Sequence, residues 1–402
     1  MITLNDEQQY IVNQAVKWYN NSPKQLFQYD GPPGSGKSFV LNEIIRELGL
    51  NPTTDIAAMS FTGAASLVMR MKGLVNAKTA HSWIYNIVAT PMVDKHGNVV
   101  MDELLNVPVM VPKFIPVERL DHNIKLIVID EAYCLPRALR PTIEKFGIKI
   151  LACGDQNQLP PVNDRPAFLA SGKIYHLTQC MRQGERMDIS FIATMRGMDR
   201  ELLPGYYGNS LVINKNMLTD SMLMNADIII CGRNKTRDMI NNKIRSILGY
   251  VTDLPRYGEK IVCRSNNWLE SIPTVNGWEV NLVNGLTGRV INNPDVSTFD
   301  GKLFSMDFAP DMLSGEAFLN TRCNYKHMIS DNEIRTSIRN NKYEPGNMFE
   351  YAYAITTYVS QGSQFHNVVY IEEPTRDRDM RMAMNLVGAS RADTSLIYVK
   401  PF

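Results

Sequence analysis

The chain predicts an α/β protein with two parallel-sheet cores, each covered by helices, and two smaller β-rich inserts. Strand-like and helix-like segments alternate through the first half, and a second alternation begins at Asp227. The length, 402 residues, allows two to three domains at about 150 residues each. Apolar residues at 44% and charged residues at 21% are ordinary for a globular chain, so a small stapled scaffold is excluded. Lys and Arg number 42 against 41 Asp and Glu, a net charge of +1. A chain made to hold a phosphate backbone by bulk charge would be far more basic, so any nucleic-acid partner has to be gripped by local patches.

The elements follow in order. Asn5 can cap a helix in which Ile11, Val12, Ala15, Val16 and Tyr19 recur at helical spacing. Gln25 to Tyr29 reads as a strand, a Gly-rich turn follows, and Phe39 to Leu48 reads as a helix. Buried strands are expected at Ile56 to Met59, Leu126 to Ile129 and Ile148 to Cys153. The last two run into acidic residues, at the strand ends where open parallel sheets hold ligands. In the second half, Asp227 to Cys231 is a strand, Met239, Ile240, Ile244 and Ile247 mark a helix, and strands fall at Val368 to Ile371 and Leu396 to Val399. Leu202 to Leu218, rich in Gly, Asn and Tyr, reads as a linker. These features divide the chain into cores at 1–200 and 201–402. Within the first, 84–123 carries a hairpin turning at Asp94-Lys95-His96-Gly97. Within the second, a polar stretch at about 290–348 with short apolar runs predicts a small β-rich insert.

The six cysteines lie far apart without C-x-x-C or zinc-ligand spacing, so reduced core residues are expected. Neither a secretory leader nor an apolar run of membrane-spanning length is present, which points to a soluble intracellular protein.

Gly31-Pro32-Pro33-Gly34-Ser35-Gly36-Lys37-Ser38 satisfies G-x-x-x-x-G-K-[ST] between a strand and a helix. Its glycines let backbone N–H groups wrap phosphate oxygens at a helix N-terminus. Lys37 would reach the β and γ phosphates and Ser38 would ligate Mg²⁺, so ATP with Mg²⁺ is the expected ligand. Leu126-Ile127-Val128-Ile129-Asp130-Glu131 ends a strand in two acids, Asp130 facing the metal and Glu131 orienting an attacking water. In Gly154-Asp155-Gln156-Asn157-Gln158-Leu159-Pro160-Pro161-Val162, Gln158 supplies an amide donor and acceptor suited to sensing a γ-phosphate.

With these three strings in this order, the chain resembles the superfamily 1 DNA helicases, in particular the RecD-like and Dda-like branch, over nearly its whole length. The resemblance implies two RecA-like P-loop cores, an SH3-like second insert and a pin at the first hairpin. It places Gln8 against the adenine edge, in Leu4-Asn5-Asp6-Glu7-Gln8. Ser60-Phe61-Thr62-Gly63-Ala64-Ala65 and Thr79-Ala80-His81-Ser82 become strand contacts through Phe61, Thr62 and His81. Leu177-Thr178-Gln179-Cys180-Met181-Arg182 and Val387-Gly388-Ala389-Ser390-Arg391 resemble the segments whose arginines, Arg182 and Arg391, neutralise the transition state from the two cores. Tyr353 to Gln364 is similar to YAIT-x-HKSQG, which implies strand contacts by Thr356, Tyr358 and Ser360 and a nucleotide contact by Gly362. Asn281 to Val290 resembles the NG-x-x-G-x-V turn before the insert.

The chain departs from the family at Tyr358, where His is usual, at Val359, where Lys is usual, and at Ala64, where a basic residue often stands. Fewer basic contacts and more stacking are therefore expected on DNA. The resemblance implies an ATP-dependent helicase moving 5′ to 3′ on single-stranded DNA, with forked or tailed duplex as substrate. It further implies a monomer that acts in the cytoplasm, or the host cytoplasm for a phage protein, without a membrane, and meets replication, recombination or repair proteins. Two alternatives stay open: a translocase or protein-displacing ATPase that does not unwind, and a P-loop kinase of a small molecule.

Overall fold

The computed structural model describes residues 4–94, 96–101, 106–161, 164–179, 187–250, 252–274, 277, 279–294, 299–313, 315–341 and 344–401, the side chain of Trp268 excepted. The chain forms two compact units. One comprises Met1–Ile84, Pro116–Gly232 and Ser360–Phe402, the other Tyr85–Ile115 and Arg233–Val359.

The first part of the chain runs α1 (Asp6–Asn21), β1 (Leu26–Asp30), α2 (Lys37–Glu47), β2 (Ile56–Ser60), α3 (Gly63–Met71), β3 (Lys78–Thr79) and α4 (Ala80–Ile84). A ribbon of β4 (Tyr85–Pro91) and β5 (Met110–Pro116) follows, then β6 (Leu126–Ile129), α5 (Arg140–Glu144), β7 (Lys149–Gly154) and β8 (Tyr175–His176). Six of these strands form a sheet in the order β3-β2-β6-β7-β1-β8, parallel throughout. As expected, Asn5 caps α1: its Oδ1 accepts the Gln8 N–H at 2.8 Å, and the Asn5 N–H donates to Gln8 Oε1 at 3.1 Å. Ile11, Val12, Ala15 and Trp18 form the buried stripe of α1 and pack with Phe27, Val40, Leu41 and Ile44 in one core. Each large apolar side chain so buried contributes about 1.5–3 kcal/mol. That burial fixes the sheet edge from which the phosphate loop departs.

The chain continues through α6 (Met187–Gly197), β9 (Gly205–Tyr207), β10 (Ser210–Asn214), α7 (Asp220–Met224), β11 (Ile228–Cys231) and α8 (Asn234–Ile247). Next come β12 (Lys260–Cys263), β13 (Asn267–Pro273), β14 (Glu279–Leu282), β15 (Thr287–Val290), β16 (Leu303–Pro310) and β17 (Phe318–Asn324). After α9 (Tyr325–Ile329), α10 (Asn332–Asn340), β18 (Phe349–Tyr351) and β19 (Ala354–Thr356), the chain closes with β20 (Phe365–Ile371), α11 (Arg378–Ala389) and β21 (Ala392–Lys400). In the first unit β11, β20, β21 and β10 lie side by side and parallel, with β9 antiparallel at the edge.

Two expectations are corrected here. Leu202–Leu218 is not a linker, because Val212 and Ile213 are 0% and 1% exposed and β10 pairs with β21. The burial of a short apolar run overrides its Gly- and Asn-rich surroundings. Helix α6 packs on α11: Arg196 pairs with Glu372 at 2.6 Å, and Gly197 abuts Leu386. The β-rich insert begins earlier than 290, since β12 and β18 complete an antiparallel sheet ordered β17-β16-β15-β12-β18.

The hairpin falls where the sequence puts it. Val93 and Val99 bridge antiparallel, and Asp94 Oδ1 accepts the N–H groups of His96 and Asn98 at 2.8 and 2.9 Å, while Lys95 lies outside the described residues. Cys134, Cys153, Cys231, Cys263 and Cys323 are buried free thiols, and Cys180 lies outside the described residues. Among the described residues no helix is long and apolar enough to cross a membrane.

Candidate active site

The phosphate loop leaves β1 at Asp30 and enters α2 at Lys37. The Gly31 N–H donates to the Gly154 carbonyl at 3.1 Å, tying the loop's start to the end of the neighbouring β7. Gly36, at φ 84°, is the N-cap of α2, and an added Cβ would lie 2.6 Å from Gln8 Nε2. Only glycine meets both demands. Gln8, 2% exposed, donates Nε2 to the Ser35 carbonyl at 3.1 Å while Oε1 serves the cap. The residue that the sequence sets against a base edge thus braces the loop, with one amide hydrogen left over. Lys37 Nζ donates to the Gly31 and Pro32 carbonyls at 2.8 and 3.2 Å, so its ammonium is held against the start of the loop. Ser38 Oγ accepts from Lys72 Nζ at 3.2 Å.

The acids gather at the same sheet edge. Asp130 follows β6, and its Oδ1 accepts the Glu131 N–H at 2.9 Å. Glu131 holds φ at 51°, a strained backbone for a non-glycine. Burial and the adjacent Asp130 push the Glu131 carboxyl up, while Lys37 and Arg391 pull it back. Asp155 follows β7, which lies between β6 and β1, and is 1% exposed. Its Oδ1 accepts the Asn157 N–H at 2.9 Å, shaping the turn in which Gln158 is 5% exposed. Burial raises the Asp155 carboxyl, against Lys37. Asp30 Oδ1 meets His176 Nδ1 at 2.5 Å.

Asp30 and His176 escaped the sequence reading, and Asp155 was given no role of its own there. The acids were visible at strand ends, but nothing local to His176 shows that β8 pairs beside β1. Among the described residues no three His, Cys, Asp or Glu side chains form a metal cage. The Ser38 hydroxyl and the Asp130 carboxylate are nonetheless the oxygen donors that suit Mg²⁺, which takes one or two protein oxygens and completes its shell with phosphates and water.

Residues distant in sequence complete the cluster. Gln361 Nε2 reaches the Leu159 carbonyl at 3.4 Å, and Gly362, at φ 81°, is so close to α3 that an added Cβ would sit 3.1 Å from the Ala65 Cβ. Arg391 is 6% exposed, with Nε on the Val387 carbonyl at 3.0 Å, Nη1 on the Ser363 carbonyl at 3.3 Å and Nη2 on Ser390 Oγ at 3.1 Å. Arg182 lies outside the described residues.

The expected strand contacts divide. Thr62 is the N-cap of α3, its Oγ1 accepting the Ala65 N–H at 3.2 Å, and Phe61 beside it is half-buried. His81 stands on α4, with burial lowering its imidazole. Thr356 and Ser360 are buried, at 7% and 0% exposure, in β19 and the turn after it. Tyr358 is half-buried. Two unforeseen residues join α4's surface: Lys78 Nζ lies 5.2 Å from the centre of the Trp83 ring, and Trp83 Nε1 donates to the Ala58 carbonyl at 2.7 Å.

The family model described as an AAA domain matches residues 3–212. The ATP-dependent DNA helicase PIF1 of Xenopus laevis is 25% identical over 217 residues, 48% of this chain and 30% of that protein, so the chain spans under a third of that relative's length. The fold is that of solved Pif1 helicases. One, from work on unwinding of forked duplex DNA by two coordinating Pif1 helicases, has a TM-score of 0.54 at 19% identity, covering 98% of this chain and 92% of that one. Bacteroides Pif1 bound to single-stranded DNA gives 0.53 at 17% identity, covering 99% and 92%.

Proposed function

The chain belongs to the AAA-domain family, and from that premise we propose that it is an ATP-dependent DNA helicase of superfamily 1, moving 5′ to 3′ on single-stranded DNA. The observation that carries this reading is that Arg391, immediately before β21 in the second sheet, bonds the Ser363 carbonyl, while Gly362 in the same turn packs on Ala65 of α3 beside the first sheet. A phosphate loop alone binds nucleotide. An arginine brought to its catalytic acid from another sheet lets hydrolysis respond to a change elsewhere.

In this mechanism the loop N–H groups and Lys37 hold the β and γ phosphates. Mg²⁺ held by Ser38 and Asp130 would neutralise phosphate charge. Glu131 orients the attacking water, Gln158 meets the γ-phosphate, and Arg391 and Arg182 balance the charge of the transition state. The Ser360–Ser363 turn lies against α3 at Gly362 and against Arg391 through the Ser363 carbonyl, which supports a link between strand contact and hydrolysis. The 5′ to 3′ direction rests on the family resemblance and on the Pif1 likeness.

The test is the ATP hydrolysis rate with and without single-stranded DNA, repeated with single-stranded RNA. Strong stimulation by DNA and loss of turnover in Lys37→Ala are expected. Turnover indifferent to nucleic acid supports the small-molecule kinase instead. Deletion of Asp94 to Gly97 separates unwinding from translocation, since DNA-stimulated hydrolysis with lost fork unwinding assigns the hairpin as the pin. An intact chain that hydrolyses ATP on DNA but leaves forks closed is a translocase.

A further inference from the structure

The first turn of α1 grips two segments at once. On one side Gln8 holds the phosphate loop through the Ser35 carbonyl. On the other, the Glu7 carboxylate takes three hydrogen bonds from the exit of β8: Thr178 Oγ1 donates to Oε1, and the Thr178 and Gln179 N–H groups donate to Oε2 at 2.9 and 3.3 Å. Asn5 Nδ2 adds a bond to Gln179 Oε1 at 3.1 Å. Upstream, the Leu177 N–H donates to the Asp30 carbonyl at 2.8 Å. Residues 177–179 are therefore pinned from both sides immediately before the segment that carries Arg182. The Thr178 hydroxyl and the two N–H groups hold the Glu7 carboxyl below its ordinary range. A surface glutamate capping stray N–H groups would need no partner on a neighbouring residue that itself braces the phosphate loop.

We propose that Glu7 is a positioning residue, fixing the exit of β8, and hence the base of the arginine-bearing segment, to the same helical turn that braces the phosphate loop. The inference rests on the reading of the chain as an ATP hydrolase. Glu7 touches no nucleotide in this role; it sets where the following segment starts. Its loss should slow hydrolysis without loosening nucleotide, because the loop and Gln8 are untouched.

The experiment measures DNA-stimulated kcat and the affinity for a fluorescent ADP analogue in the full chain and in Glu7→Ala, Glu7→Gln, Thr178→Val and the Glu7→Ala/Thr178→Val pair. Expected are a fall in kcat of about fivefold or more for Glu7→Ala, ADP-analogue affinity within about twofold, and substantial recovery in Glu7→Gln, whose amide oxygen still accepts the Thr178 N–H. The double variant should be no slower than Glu7→Ala, since both changes cut one link. Unchanged kcat in Glu7→Ala, ADP affinity falling in parallel with kcat, or additive effects in the pair would each overturn the inference. A wild-type chain without DNA-stimulated turnover overturns the underlying reading, a result distinct from any variant's.

Discussion

The side-chain amide of Gln8 donates to the Ser35 carbonyl at 3.1 Å, and the same nitrogen would lie 2.6 Å from a Cβ added at Gly36. Gly36→Ala therefore suffers twice: from the left-handed backbone at φ 84°, costing about 1–2 kcal/mol, and from collision with Gln8. Nucleotide affinity should fall by at least about tenfold. In a Gln8→Ala background the collision disappears and only the backbone strain stays, so Gly36→Ala should cost less there. Titration of a fluorescent nucleotide into the four proteins of the cycle reads this coupling, and equal costs in both backgrounds would show that the two residues act independently.

The three nitrogens of the Arg391 side chain are each hydrogen-bonded, two of them to backbone carbonyls, and its charge draws the Glu131 carboxyl down. Arg391→Lys keeps the charge but cannot reproduce that fork. The variant should lose about 10²-fold or more in kcat, while ADP affinity changes little, as for a group used in the transition state. A parallel loss of ADP affinity would instead make Arg391 a ground-state contact.

The sheets and the phosphate loop were legible because they rest on local signals: apolar runs, a capping Asn5 and a glycine spacing. The acids at the ends of β6 and β7 were legible for the same reason. What escaped depends on partners far along the chain. Val212 and Ile213 look like linker residues until β21 pairs with them. Helix α6 packs on α11 with Arg196 paired to Glu372, and Thr356 and Ser360, in a segment that resembles a strand-binding motif, lie buried. Residue type and spacing identify chemistry; burial decides which side chains can reach a ligand, and it is set by tertiary pairing.

The second unit should be acid-sensitive. His327, 0% exposed, donates Nδ1–H to the Phe349 carbonyl at 3.1 Å, and burial holds its imidazole down at about 4. Glu350 stands among Arg237, Arg264 and Arg339; burial raises its carboxyl, but the arginines more than offset this and bring it to about 2. Both folded values lie below the unfolded ones, so both groups stabilise the fold at neutral pH. The histidine's share is lost as pH falls from 6.5 towards 4, where the unfolded chain takes up the proton first, and is worth on the order of 3 kcal/mol. The glutamate's share is lost from 4.5 towards 2. Thermal midpoints recorded from pH 7.5 down should fall in the upper window for the native chain and stay flatter there for His327→Gln. An equal slope in both would assign the loss to other groups.

DNA affinity should depend only shallowly on salt. Net charge is +1, Ala64 and Val359 stand where the resembled family carries basic residues, and beside α4 Lys78 Nζ lies 5.2 Å from the centre of the Trp83 ring. On single strands log affinity falls with log salt by about 0.7 per phosphate neutralised, so three or four contacts give a slope near −2 to −3. Stacking leaves that slope alone. Trp83→Ala should therefore weaken binding of oligothymidylate by about 1–3 kcal/mol with the slope unchanged, whereas Lys78→Ala should weaken it less and flatten the slope by about 0.7. Fluorescence anisotropy across a salt series distinguishes the two, and a native slope steeper than about −5 would mean that this nearly neutral chain concentrates its basic residues on the strand after all.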